Sequence, residues 1–322
     1  MKRLTLMLLL ALTLTSCRFA PRVDAPHLST PFDYAQDKPK AASPSPTDSS
    51  PATSATPQSL DPILDILYSE KPVKDPRHLS LDIYPTSQPN APVMVYVHGG
   101  GWRRGNKSNV DAKPASFNQH GFVFISVDYR LIPEVDIADQ VGDIATAIAW
   151  VKENIAQYGG DPNRIFLMGH SAGAHLVSLV ATDPSYLEAE GMSLAEIHGV
   201  ISLDTQAYDI NLLLENASER TSRVYEAAFT DDPRMWTRFS PITYVEAGQS
   251  IPPFFLVYSG EAPGRKLLTE HFVQGLEEAG ISSFVQSATE KNHGQVNEDF
   301  GAPGEPMSEA AFRWLEEILR EL

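Results

Sequence analysis

Cysteine is almost absent: the 322 residues contain one, Cys17. An intrachain disulfide is therefore impossible, and the fold must be held by packing alone. Beyond Cys17 there is no thiol to act as a nucleophile and none to build a cysteine metal cluster. The His-Glu-x-x-His spacing is missing too, and no glycine run has the spacing of a phosphate or dinucleotide loop. No metal and no cofactor is expected. Basic residues are scarce, 25 Lys and Arg against 41 Asp and Glu, for a formal net charge of −16. A field of that sign disfavours nucleic acid, polyanionic substrates and anionic lipid surfaces. Long apolar runs are lacking as well, and the one at residues 4–14 is too short to span a bilayer.

That short run follows Lys2 and Arg3 and leads into Leu14-Thr15-Ser16-Cys17. A basic start and a brief apolar stretch read as an export signal. The four residues ending at Cys17 resemble the lipobox of bacterial lipoprotein signal peptides. The resemblance implies cleavage after residue 16, a diacylglyceryl group on the Cys17 sulfur, and an exported protein anchored to a membrane by lipid. Lasting attachment takes more than one acyl chain. Residues 17–60 then read as a tether. Pro, Ser, Thr and Ala dominate residues 41–59, and such a segment cannot bury enough surface to offset its ordering.

From residue 61 the pattern is that of a single large domain running to residue 322. Residues 63–68 and 79–84 are predicted antiparallel edge strands. Residues 93–97 and 122–127 are apolar strands with both faces covered, and further strands are predicted at 164–168, 197–203, 253–258 and 281–286. Helices are predicted at 137–155, where Val141, Ile144, Ala145, Ile148 and Val151 recur at helical spacing, and at 172–180, 267–279 and 307–319. The stretch 204–249 is irregular and aromatic, with a possible helix at 210–216, and its length suggests helices or a lid. Alternating strands and helices give an α/β fold: a mostly parallel central sheet of about eight strands with helices on both faces.

Two segments carry chemistry. Gly169-His170-Ser171-Ala172-Gly173 follows an apolar strand and opens an apolar-faced helix, the context of a sharp turn that exposes a serine hydroxyl. Ser171 is the candidate nucleophile, and the Ala172 N–H is one candidate oxyanion donor. His98-Gly99-Gly100-Gly101-Trp102 ends the strand at 93–97, and Gly99 and Gly100 are the other expected donors, with Gly101 allowing the tight turn. His98 fits a role in fixing the loop and Trp102 one as a pocket wall, and both also fit purely structural roles. His170 is expected to pack or line the pocket.

A serine nucleophile needs a base and an orienting acid. His293, just past the last strand, is the expected base; His271 competes but sits in a helix. Glu261 is the only carboxylate in the loop after residue 258 and is the expected acid. Asp204, after the preceding strand, is the main substitute, with Glu270 and Asp299 behind it.

These segments, with Leu81-Asp82-Ile83-Tyr84-Pro85, Asp128-Tyr129-Arg130-Leu131 and Asp161-Pro162-Asn163-Arg164-Ile165, resemble small carboxylesterases of the α/β-hydrolase superfamily. The resemblance is to the branch of feruloyl-esterase-like, isoprenylcysteine-methylesterase-like and kynurenine-formamidase-like enzymes. It implies the α/β-hydrolase fold, a serine acyl-enzyme mechanism and a small ester as substrate, without a cofactor. That branch commonly has an aspartate after the penultimate strand, where this chain has Glu261. The same machinery also serves amides, as in an arylformamidase, and the fold can persist as an inactive binding scaffold.

Overall fold

A computed structural model of the chain describes residues 60–322 except Glu261, without the side chains of Pro76, Arg77 and Arg220. The predicted signal peptide, the tether up to residue 59, Cys17 and Glu261 lie outside the described residues. Eight strands form one sheet: β1 (Ile63–Leu67), β2 (Ser80–Tyr84), β3 (Ala91–Val97), β4 (Val123–Val127), β5 (Gly160–His170), β6 (Ile197–Leu203), β7 (Phe254–Ser259) and β8 (Ser283–Ala288). Their order is β1-β2-β4-β3-β5-β6-β7-β8. β1 pairs antiparallel with β2 and β2 with β4, and every other pairing is parallel. The predicted antiparallel edge and parallel body are both present.

Around the sheet lie α1 (Lys113–Gln119), α2 (Ile137–Asn154), α3 (Ala172–Val180), α4 (Pro184–Ala189), α5 (Ile210–Asn216), α6 (Glu219–Phe229), α7 (Pro233–Arg238), α8 (Pro263–Glu278), α9 (His293–Glu298) and α10 (Pro306–Glu321). Alternation along each strand splits the core in two. Val93, Val95 and Val97 of β3 join one cluster with α2, α3 and α8, through side chains such as Val141, Leu176 and Phe272. Met94 and Tyr96 join a second cluster with Phe117 of α1, Val296 of α9 and Trp314 of α10. Burial on both faces accounts for the near-continuous apolar runs in the sequence.

The differences from the sequence reading have local causes. β5 begins at Gly160 because Ala91 pairs with Gly160 and Val93 with Ile165, so Asp161-Pro162-Asn163 is accommodated as a break in the ladder. Within 204–249 helices are present, one of the two expected readings, and α5 falls on the predicted 210–216: the side chains of Asp209, Ser218 and Asp232 accept N–H groups at the starts of α5, α6 and α7. α9 was not foreseen. Its start is a capping box in which Asn292 accepts the Gln295 N–H and the Gln295 side chain accepts the Asn292 N–H.

α9 is tied to the middle of the sheet. Tyr96 donates its hydroxyl to the Asn297 side chain at 2.8 Å. The fully buried Lys113 donates to the Asn297 carbonyl at 2.7 Å and sits over the Tyr96 ring. Burial draws this lysine from its ordinary 10.5 down to about 8, against the opposing pull of Asp111 and Glu298. A base with a lowered folded pKa binds fewer protons when folded than when unfolded, so its contribution to stability rises with pH through that window. The unfolding free energy of wild type relative to Lys113→Met is expected to grow by about 2 kcal/mol from about pH 7 to about pH 10. Denaturant titrations of both proteins at each pH measure it, and a difference that stays flat or shrinks contradicts the buried-charge account.

Candidate active site

Ser171 lies between β5 and α3 with φ 56° and ψ −116°, backbone angles that only a tightly held side-chain-bearing residue adopts. The turn can be this sharp because of its glycines. A Cβ on Gly169 would stand 2.4 Å from the Gly173 carbonyl, and one on Gly173 would stand 2.1 Å from the Val97 oxygen. α3 thus rests directly on the backbone at the end of β3. The Ser171 N–H donates to the Leu203 carbonyl at 2.9 Å, fixing the turn to β6.

His293 opens α9 and meets Ser171: Nε2 accepts from Oγ at 2.9 Å. On its other side, Nδ1 donates to Oδ2 of Asp204 at 2.7 Å. The expectation that Glu261 occupies this position is corrected. β5 and β6 run in register with His170 opposite Leu203, so the next residues, Ser171 and Asp204, emerge side by side. Asp204 is turned toward the imidazole by a left-handed backbone, φ 54°, and its side chain has no solvent contact. Glu270 pairs instead with Lys266, Asp299 with Lys291, and His271 with Asp209.

Asp204 is satisfied on each oxygen. Oδ1 accepts the Ser259 N–H at 2.8 Å, and Oδ2 also meets Arg265 Nη1 at 3.0 Å. Burial pushes its pKa up, but the His293 hydrogen bond, the Arg265 charge and the Ser259 N–H outweigh that and hold it below the usual carboxylate value. The carboxylate is therefore ionised at neutral pH, placed to steady a proton on the imidazole.

His170 is not part of this relay. Its Nε2–H donates to the His293 carbonyl at 2.9 Å with the two rings 4.6 Å apart. Burial, reinforced by the neighbouring His293, lowers its pKa to about 3, so it is a neutral donor that fixes the His293 backbone. It lines a separate cavity behind the glycine loop, with Gly99 and Gly100, rather than the one at Ser171.

The glycine loop is braced at both ends. His98 donates from Nδ1 to the Gly99 carbonyl at 2.8 Å and stacks on Tyr129, whose hydroxyl donates to the His98 carbonyl at 3.0 Å. Trp102 has φ 60°, and its carbonyl accepts from the Gln140 side chain at 2.7 Å. Its indole N–H donates to Nδ1 of His175 at 3.2 Å, and His175 donates from Nε2 to the Phe239 carbonyl at 2.7 Å. Burial lowers the His175 pKa to about 4, which keeps one nitrogen free to accept. Phe229 packs edge-on against Trp102 at 4.8 Å, so the segment 204–249 leans on the loop.

The cavity at Ser171 has a volume of about 230 Å³. Gly101, Trp102 and Ala172 line it together with Thr205, Gln206, Arg265 and, from α6, Val224 and Tyr225. Gly101, assigned by sequence only to the turn, is the loop glycine at the cavity wall. Sequence reasoning missed Arg265 and His175. The spacing of His175, four residues past Ser171 on the same helix, was an available signal; Arg265 had none, because its contact to Asp204 crosses between distant segments.

Comparison with known proteins agrees with this architecture. The chain is 32% identical over 183 residues to esterase LipQ of Mycobacterium tuberculosis, covering 54% of this chain and 42% of that protein. It is 40% identical over 117 residues to the probable isoprenylcysteine alpha-carbonyl methylesterase ICMEL2 of Arabidopsis thaliana, covering 36% and 28%. The chain spans less than half the length of these curated relatives. Among solved structures, esterase B of Lactobacillus rhamnosis superposes with a TM-score of 0.66 at 20% identity, covering 81% of this chain and 86% of that one. A truncated carbohydrate esterase from gut microbiota gives 0.69 at 18%, covering 81% and 97%. At such identities the likeness is one of fold, and the fold is that of α/β-hydrolase esterases. The sequence profile of the BD-FAE family matches residues 81–263, more than half of the chain, and the chain belongs to that family.

Proposed function

We propose that the chain is a serine carboxylesterase that hydrolyses small esters through an acyl-enzyme. The observation that carries this reading is the unbroken chain of hydrogen bonds from Ser171 Oγ to His293 Nε2 at 2.9 Å and from His293 Nδ1 to Asp204 Oδ2 at 2.7 Å. Ser171 Oγ attacks the ester carbonyl as its proton passes to Nε2. The carbonyl oxygen takes the negative charge, met by the N–H of Ala172 and by the glycine loop, where Gly101, the loop glycine at the cavity wall, stands in place of the donors expected at Gly99 and Gly100. Collapse breaks the ester C–O bond, and the leaving alkoxide takes the proton from Nε2. Water then gives a proton to Nε2, attacks the acyl carbon, and the acid leaves as Ser171 recovers its proton. Asp204 keeps Nδ1 protonated throughout, so that Nε2 is the accepting nitrogen.

A cavity of about 230 Å³ is small for a ligand site, which favours short acyl groups over long ones. The domain assignment belongs to the same proposal: signal peptide 1–16, tether 17–60 and catalytic domain 61–322, with export and a lipid on Cys17 holding the enzyme at a membrane. Among the described residues no helix is long and apolar enough to cross a membrane itself.

Ser171→Ala is expected to lose the burst of p-nitrophenol from p-nitrophenyl acetate; equal slow hydrolysis by both proteins sinks the mechanism. Asp204→Asn is expected to lower kcat by about a thousandfold or more, and by more than Glu261→Gln does. The reverse order returns the orienting role to Glu261. Across a panel of acyl esters and N-formyl aromatic amides, kcat/KM is expected to be highest for two- to four-carbon acyl esters; a preference for the amides would make the chain an amidase. In fractionated cells, wild type is expected with the membranes and Cys17→Ala in the soluble fraction. Identical partitioning of the two removes the anchor.

A further inference from the structure

We infer that Arg265 is a positioning residue of the hydrolytic site, holding Asp204 ionised and oriented so that an aspartate after β6 can serve His293. The inference rests on the esterase reading above and explains how the orienting carboxylate can stand one strand earlier than the resemblance implied. Arg265, in the first turn of α8, places a single nitrogen, Nη1, on two oxygens of Asp204. It donates to the backbone carbonyl at 2.9 Å and meets Oδ2 at 3.0 Å. One guanidinium thereby fixes both the left-handed backbone and the side-chain rotamer of the same residue.

The charge is needed as much as the geometry. Asp204 is wholly enclosed, and burial alone would favour its neutral form. A protonated Asp204 could no longer hold Nδ1–H by a charge-assisted bond, and the wrong imidazole nitrogen would then be free to face Ser171. The groups facing Asp204 are His293 from α9, Arg265 from α8 and the Ser259 N–H at the end of β7. The buried Tyr208, Tyr225 and His170 also sense its charge. Among these described groups, Arg265 is the one permanent cation. The tyrosines are phenols whose pKa values burial raises, and His170 is neutral.

The test is the pH dependence of kcat for wild type, Arg265→Lys and Arg265→Met. In Arg265→Met the acidic limb is expected to move up by at least about one pH unit, with kcat recovering toward alkaline pH. Arg265→Lys, which keeps the charge but loses the planar fork, is expected to fall between the two. If Arg265 only contacts substrate, KM rises and the limb stays where wild type has it; that result overturns the inference. A second readout needs no turnover: the low-field proton resonance of the His293 Nδ1–H, assigned by its loss in His293→Ala. It should persist to lower pH in wild type than in Arg265→Met, and equal persistence also overturns the inference. A wild type that hydrolyses no ester but shows that difference leaves Arg265 in its role and discards the esterase reading instead.

Discussion

Asp204 is a negative charge without solvent contact, and much of the site is organised around that constraint. An isolated carboxylate cannot stay ionised in such a place; it needs donors on both oxygens and a cation close by. Three segments supply them: the end of β7 through the Ser259 N–H, α8 through Arg265, and α9 through His293. Its own backbone N–H donates to Val257 of β7 at 2.8 Å. Removing any one partner leaves a buried charge short of a donor, so the groups that orient the imidazole are coupled to the carboxyl ends of β6 and β7.

The Ser171 turn imposes a second constraint, a steric one. Ser171 can hold its unusual backbone because α3 presses against β3 with nothing between them, and Gly169 and Gly173 are the residues that permit it. The same closeness brings the amino end of α3, with its N–H groups and positive dipole end, up to the glycine loop. His175, one turn further along α3, receives the Trp102 indole and passes a hydrogen bond to Phe239. Loop, α3 and the segment 204–249 are therefore braced as one frame beside the cavity at Ser171.

What the sequence made legible was whatever local pattern controls. The strands of the parallel body show as apolar runs because both of their faces are buried, and the serine turn shows because only glycine fits two positions beside it. His293 follows from chain order and from its place after β8. The acid was not legible, since two carboxylates, Asp204 and Glu261, each follow a strand that ends near the serine. Choosing between them requires the register of β6 against β5, and register is a long-range property that no local window contains. Arg265 escaped for the same reason, and α9 because one short turn of helix leaves too few residues for periodicity to register.

The histidines around Ser171 show how burial assigns roles to identical side chains. His170 and His175 are enclosed, and at about 3 and about 4 their pKa values keep both rings neutral at physiological pH. Each then offers one fixed donor, to the His293 carbonyl and to the Phe239 carbonyl. Such groups orient their neighbours as neutral donors. His293 is the one with solvent contact on one side and a buried carboxylate on the other. Two of the three are held neutral by enclosure, and the imidazole that Asp204 holds is the one that meets Ser171 Oγ.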